Sequence, residues 1–312
     1  MKLKMYHMNV LSIAAVLAVG LLCGCNANTE RVVDADSEVQ KAASSSVAVQ
    51  SEISISAESI SEENTTESDP DSVPAEPETE SQQEPSLPQS SESPASFNAC
   101  SINTTQMGNL SYWLYIPSNP TEDMPLIVYL HGGSEKGDDL ELVTAADGFP
   151  QYLQNGELGD VRSYVIIPQL PSSEKSWESI SDAICELIDT TAETYAIDRN
   201  NISLTGHSMG GTGVWHLACM YPTLFARIAP LSGSIRCTPE TLSKLKNAHI
   251  WAFVGSADSI VAPEASEKIV AALKNAGSDA EITVFDEADH FSVPRLAYLD
   301  ANVGLMNWLI GN

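Results

Sequence analysis

Apolar positions in the last two thirds of the chain fall into short runs of two kinds. From Ser111 to Pro117 the residues alternate and are aromatic, which predicts a strand. Leu126 to Leu130 and Tyr164 to Ile167 are continuous apolar runs, the pattern of strands buried on both faces. Asn201 to Thr205, Phe225 to Leu231, Ile250 to Val254 and Glu281 to Phe285 read as further strands. Between them lie helical patterns: about Ser176 to Tyr195, Gly211 to Met220, and Ala262 to Asn275, closed by Gly277. A last helix is expected from about Pro294 to Ile310. Strands alternating with helices predict an α/β fold with a mostly parallel sheet and helices on both faces. In such sheets, sites form beyond the carboxyl ends of the strands.

The amino-terminal third reads differently. Met1-Lys2-Leu3-Lys4 precedes an apolar run from Met8 to Leu22, too short for a comfortable membrane span. The run ends Leu22-Cys23-Gly24-Cys25, which resembles a bacterial lipoprotein signal. That resemblance implies a signal peptide over residues 1–24 and lipidation of Cys25, anchoring the protein to the outer face of a cell membrane. An ordinary secretory signal or an uncleaved anchor would show a similar pattern. All three versions export the rest of the chain. Residues 25–96 are rich in Ser, Glu, Pro, Thr and Ala. From Asn26 to Ser96 there is no aromatic residue before the boundary, and sixteen acidic residues face only Arg31 and Lys41. Such a segment cannot bury enough apolar surface to offset its ordering entropy, so it reads as a disordered tether. Residues 97–312 are long enough for one single-core domain.

The formal net charge of −27 argues against nucleic acid as a partner. Beyond Cys23 and Cys25 the cysteines are Cys100, Cys185, Cys219 and Cys237. An exported location permits disulfides among them, and burial as small hydrophobes is the other reading. No His/Cys spacing resembles a metal site, so neither a metal nor another cofactor is expected.

The candidate chemistry centres on Gly206-His207-Ser208-Met209-Gly210, between a predicted strand and a predicted helix. This resembles the nucleophile elbow of α/β-hydrolases, with Ser208 as nucleophile. His131-Gly132-Gly133-Ser134 directly follows the Leu126–Leu130 strand, where such enzymes place one oxyanion-hole amide. The amides of Gly133 and Met209 are the expected donors. Asp258 follows the Ile250–Val254 strand, and His290 follows the Glu281–Phe285 strand. Serine, acid and histidine therefore occur in α/β-hydrolase order. Asp286 and Asp289 are rival acids but lie too close to His290 in sequence. His207 and His216 flank the nucleophile, and His207 is expected to point away from it. His249 lies at the wrong end of its strand.

More specific motifs surround this set: Leu130 to Asp139, Ile167-Pro168-Gln169-Leu170-Pro171 with Trp177, Asp198 to Ile202, and Gly206 to Gly211 with Trp215. Together they resemble secreted or lipoprotein α/β-hydrolases labelled predicted peptidases, which are similar to feruloyl, acetylxylan and polyhydroxybutyrate depolymerase-like esterases. The resemblance covers about Ser111 to Trp308. It implies the fold, the triad and the oxyanion assignment; alanine is usual where this chain has Gly133. Trp177 and Phe291 are candidates for the substrate pocket, while Trp215 is expected to pack the elbow helix. The leading expectation is an extracellular carboxylic ester hydrolase, acting on a small-molecule or polysaccharide-linked acetyl or feruloyl ester. A serine peptidase acting on short peptides is the alternative, and an inactive surface-binding protein is a third reading.

Overall fold

Leu126–Leu130 (β3) and Tyr164–Pro168 (β4) are buried at every position, as central parallel strands covered on both faces must be. They belong to a computed structural model that describes residues 93–312. The signal peptide, Cys25 and all but the last few residues of the tether read from the sequence lie outside the described residues.

Eight strands form one sheet. In chain order they are β1 (Ser96–Thr104), β2 (Gly108–Ile116), β3, β4, β5 (Ile202–His207), β6 (Arg227–Leu231), β7 (His249–Gly255) and β8 (Ala280–Phe285). Their order across the sheet is β1-β2-β4-β3-β5-β6-β7-β8. The β1–β2 and β2–β4 pairs are antiparallel, and every pair from β4 to β8 is parallel. The helices are α1 (Leu142–Ala145), α2 (Phe149–Gln154), α3 (Ser181–Thr194), α4 (Met209–Met220), α5 (Pro239–Leu245), α6 (Glu264–Asn275), α7 (Ser292–Leu299) and α8 (Leu305–Leu309). A 3-10 turn, Trp177–Ile180, leads into α3.

Side chains alternate across each strand, so the sheet divides the core in two. Val128 and Leu130 pack with Ile184 and Leu187 of α3 and with Val214 and Leu217 of α4. Ile127 and Tyr129 pack on the other face with Phe149, Tyr298 and Leu309. This is the architecture of α/β-hydrolases, with the parallel strands ending at one edge.

Several elements differ from the sequence pattern. β1 was not anticipated: its exposed positions blur the apolar signal, and pairing with β2 along nine residues holds it. The long carboxyl-terminal helix is two helices. Asp300 Oδ1 accepts the Asn302 amide at 2.9 Å, and Gly304 takes a left-handed φ of 75°, which breaks the helix. Cys100, Cys185, Cys219 and Cys237 are free thiols, each partly buried.

Candidate active site

The elbow is built by close backbone approach. Ser208 sits between β5 and α4 at φ 58°, ψ −118°, a region that costs a non-glycine residue roughly 1–3 kcal/mol. Its amide donates to the Leu231 carbonyl at 3.0 Å, and its carbonyl accepts the Thr212 amide at 2.9 Å. A Cβ on Gly206 would stand 2.5 Å from the Leu130 oxygen, and one on Gly210 only 1.8 Å from it. Both positions therefore require glycine for steric reasons.

Asp258 and His290 meet from adjacent strand ends. His290 Nδ1 lies 2.8 Å from Asp258 Oδ2. The other carboxylate oxygen accepts the amides of Ile260 and Val261, each at 2.9 Å. Burial works to raise the Asp258 carboxyl, but the bonds from His290 and these two amides outweigh it and hold it below its ordinary value. With Nδ1–H given to Asp258, Nε2 is the nitrogen left to act as a base. The rival acids are engaged elsewhere. Asp289 Oδ1 accepts the Ser292 amide and hydroxyl, and Asp286 accepts the Ser256 hydroxyl at 3.4 Å.

The turn after β3 lies against the nucleophile: a Cβ on Gly132 would come within 3.6 Å of Ser208 Cβ. His131 is fully buried, and burial pushes its ring down to about 4. It is therefore neutral, with Nδ1–H donating to the Gly132 carbonyl at 2.7 Å and Nε2 accepting the Leu170 amide at 2.9 Å. Gln169 Nε2 donates to the carbonyls of Glu135 and Asp139. Among the described residues, no acceptor takes the amide hydrogen of Gly133 or Met209. Glu135 Oε2 is buried in the same turn without a hydrogen-bond partner, 3.9 Å from His131 Nδ1, and burial raises its carboxyl.

One expectation needs correction. Trp177 does not line a pocket: it is fully buried, its Nε1–H donates to the His131 carbonyl at 3.2 Å, and its ring fills the space left by Gly213. It supports the turn beside the nucleophile. His207 lies against the base. Its Nε2 lies 2.9 Å from the His290 carbonyl. Phe291 is 65% exposed beside the His290 ring, on a groove of about 500 Å³ shared with Asp147, Asp286, Asp289 and Arg295. Trp215 is fully buried against the core, as expected. Gln169 and Leu170 lie in a motif legible in the sequence, but the parts they play were not: a backbone donor has no residue signature, and the carbonyls that Gln169 bonds lie 34 and 30 positions away.

A hydroxyl at a strained turn, a carboxylate-held imidazole and two untaken amides can together carry nucleophilic acyl transfer. Poly(3-hydroxyalkanoate) depolymerase C of Paucimonas lemoignei is 28% identical over 144 residues, covering 41% of this chain and 32% of that protein. A bifunctional acetylxylan esterase/xylanase of Neocallimastix patriciarum is 27% identical over 129 residues, covering 38% of this chain and 17% of that protein. The chain thus matches less than two thirds of the length of either relative. Among solved structures, a thermostable esterase superposes with a TM-score of 0.59 at 26% identity, covering 68% of this chain and 62% of the other. The feruloyl esterase module from Clostridium thermocellum superposes with a TM-score of 0.53 at 14% identity, over 66% and 87% of the two chains, and shares the fold. The Esterase family model matches residues 110–283, more than half of the sequence, and the chain belongs to the Esterase family.

Proposed function

We propose that this protein is a serine hydrolase of carboxylic esters, with Ser208 as nucleophile, His290 as general base and acid, and Asp258 as the group that orients His290. The observation that carries this reading is the Asp258–His290 hydrogen bond at 2.8 Å, sealed from solvent beside the Ser208 elbow. The Ser208 hydroxyl proton passes to His290 Nε2 as Oγ attacks the acyl carbon. Charge develops on the carbonyl oxygen, and the amides of Gly133 and Met209 receive it; each such donor is worth about 3 kcal/mol of barrier. The C–O bond to the alcohol then breaks, and the proton on Nε2 goes to the departing oxygen. Water enters, gives a proton to Nε2, and attacks the acyl-serine. The tetrahedral centre collapses, Oγ recovers its proton, and the acid leaves.

The substrates we assign are acetyl or feruloyl esters attached to polysaccharide. The acetylxylan esterase and feruloyl esterase likenesses support that class. The exposed aromatic Phe291 beside His290 offers a face for a flat acyl or sugar group. Turnover of p-nitrophenyl acetate, methyl ferulate, acetylated xylan and a peptide amide by the purified protein tests this. Ester cleavage with little amide cleavage is expected. Amide cleavage without ester cleavage would overturn it.

The cellular setting is part of the same proposal. Lipid on Cys25 would hold the enzyme at the outer face of the membrane, with the acidic segment as spacer. Cys25→Ser is expected to shift the protein from the membrane fraction to the soluble one. Equal membrane retention of both forms would contradict this.

A further inference from the structure

His290 stands two residues before α7, whose N-cap is Phe291. A carbonyl at that place lies outside the helix and has no helical amide of its own. His207 supplies a donor from the other side of the site. Its Nε2–H reaches the His290 carbonyl at 2.9 Å, and no other donor among the described residues does so.

The two rings also pack. Their centroids are 4.6 Å apart with the planes tilted by 42°. Burial, followed by the nearness of His290, pushes the His207 ring down to about 3, although its bond to the His290 carbonyl and the charge of Asp258 work the other way. His207 is therefore neutral, and it does not oppose the positive charge that His290 gains in each half-reaction. The backbone on the amino side of His290 is fixed separately. The Ala257 amide donates to the Ala288 carbonyl at 3.0 Å, and Gly255 leaves room for that oxygen. The carbonyl of His290 itself rests on His207.

We infer that His207 is a positioning residue: its Nε2–H holds the His290 backbone just outside α7, where no helical amide reaches the carbonyl, and thereby sets the imidazole against Ser208. The inference rests on the proposed roles of Ser208 and His290. It adds that the residue before the nucleophile aligns the base as well as filling space. A displacement of the order of 1 Å in a catalytic group is enough to slow a reaction severely.

The test is the second-order rate constant for labelling of Ser208 by a fluorophosphonate probe, measured for wild type, His207→Phe and His207→Gln. A rate constant reports the reactive molecules alone, so partial misfolding lowers the amplitude and leaves the rate unchanged. Phe keeps a ring and loses the donor; Gln keeps an Nε2–H at a similar reach. His207→Phe is expected to label about tenfold more slowly, with His207→Gln within about threefold of wild type. Wild-type rates in His207→Phe overturn the inference. So does a His207→Gln rate as low as that of His207→Phe, which would assign the effect to ring packing. A wild type that takes no label overturns the nucleophile assignment itself, a different result from either.

Discussion

His290 Nδ1 and Asp258 Oδ2 stand 2.8 Å apart, with side-chain exposures of 4% and 0%. Asp258→Asn removes the charge that stabilises an imidazolium and allows the wrong tautomer. Its kcat on p-nitrophenyl acetate is expected to fall about 10⁴-fold with the fold intact. The same pair sets a pH dependence. The folded Asp258 carboxyl titrates below its ordinary value, so its contribution to stability is present above the unfolded value and lost as pH falls through the folded one. Unfolding midpoints below pH 4 are expected to drop less steeply in Asp258→Asn than in wild type.

Strain at the nucleophile gives a second expectation. Ser208 adopts φ 58° and ψ −118°, which glycine tolerates. Ser208→Gly is expected to be inactive yet more stable than Ser208→Ala by about 1 kcal/mol, read from chemical denaturation. Equal stability of the two variants would show that the elbow stores no strain.

How much of this was legible in the sequence depends on what kind of group does the work. The Ser208, Asp258 and His290 positions follow from strand ends, because each side chain is named by its residue and placed by topology. Gly206 and Gly210 were legible for the same reason, since a missing Cβ is itself a sequence feature. The motif Ile167 to Pro171 with Trp177 was legible too, but its contacts beneath the turn after β3 were not. They are made by the Leu170 amide, the Gln169 side chain and the Trp177 indole, across more than thirty positions of chain. An aromatic near a site reads equally as wall or foundation, and only burial tells Trp177 from Phe291. The bond from His207 to the His290 carbonyl joins residues 83 positions apart, a contact that no local pattern contains.

Burial of neutral histidine makes a further prediction. His131 is pushed down to about 4 and His207 to about 3, against ordinary values of 6.5. Because the folded values lie below the unfolded ones, the unfolded chain takes up protons first on acidification. Stability present above pH 6.5 is lost as pH falls toward these folded values. Each histidine contributes a slope approaching about 1.4 kcal/mol per pH unit in that window. Urea unfolding from pH 7 to pH 4 measures it. His131→Gln is expected to reduce the slope, and an unchanged slope would mean that His131 is not buried as a neutral ring.

Trp177 and Phe291 separate support from recognition. Trp177→Phe leaves the buried His131 carbonyl without its donor and is expected to cost about 2 kcal/mol in stability. Its KM is expected to stay near that of wild type. Phe291→Ala acts at an exposed position and is expected to change stability by less than about 0.5 kcal/mol. Its KM for methyl ferulate is expected to rise. The reverse pattern in thermal midpoints and KM values would return Trp177 to the pocket.

The central claim is that acyl groups pass through Ser208. Incubation with p-nitrophenyl acetate, an acid quench during turnover, digestion and mass spectrometry tests it directly. An acetyl group is expected on the peptide bearing Ser208, at its hydroxyl, with neither acetylation nor turnover in Ser208→Ala. Undiminished turnover by Ser208→Ala would contradict it.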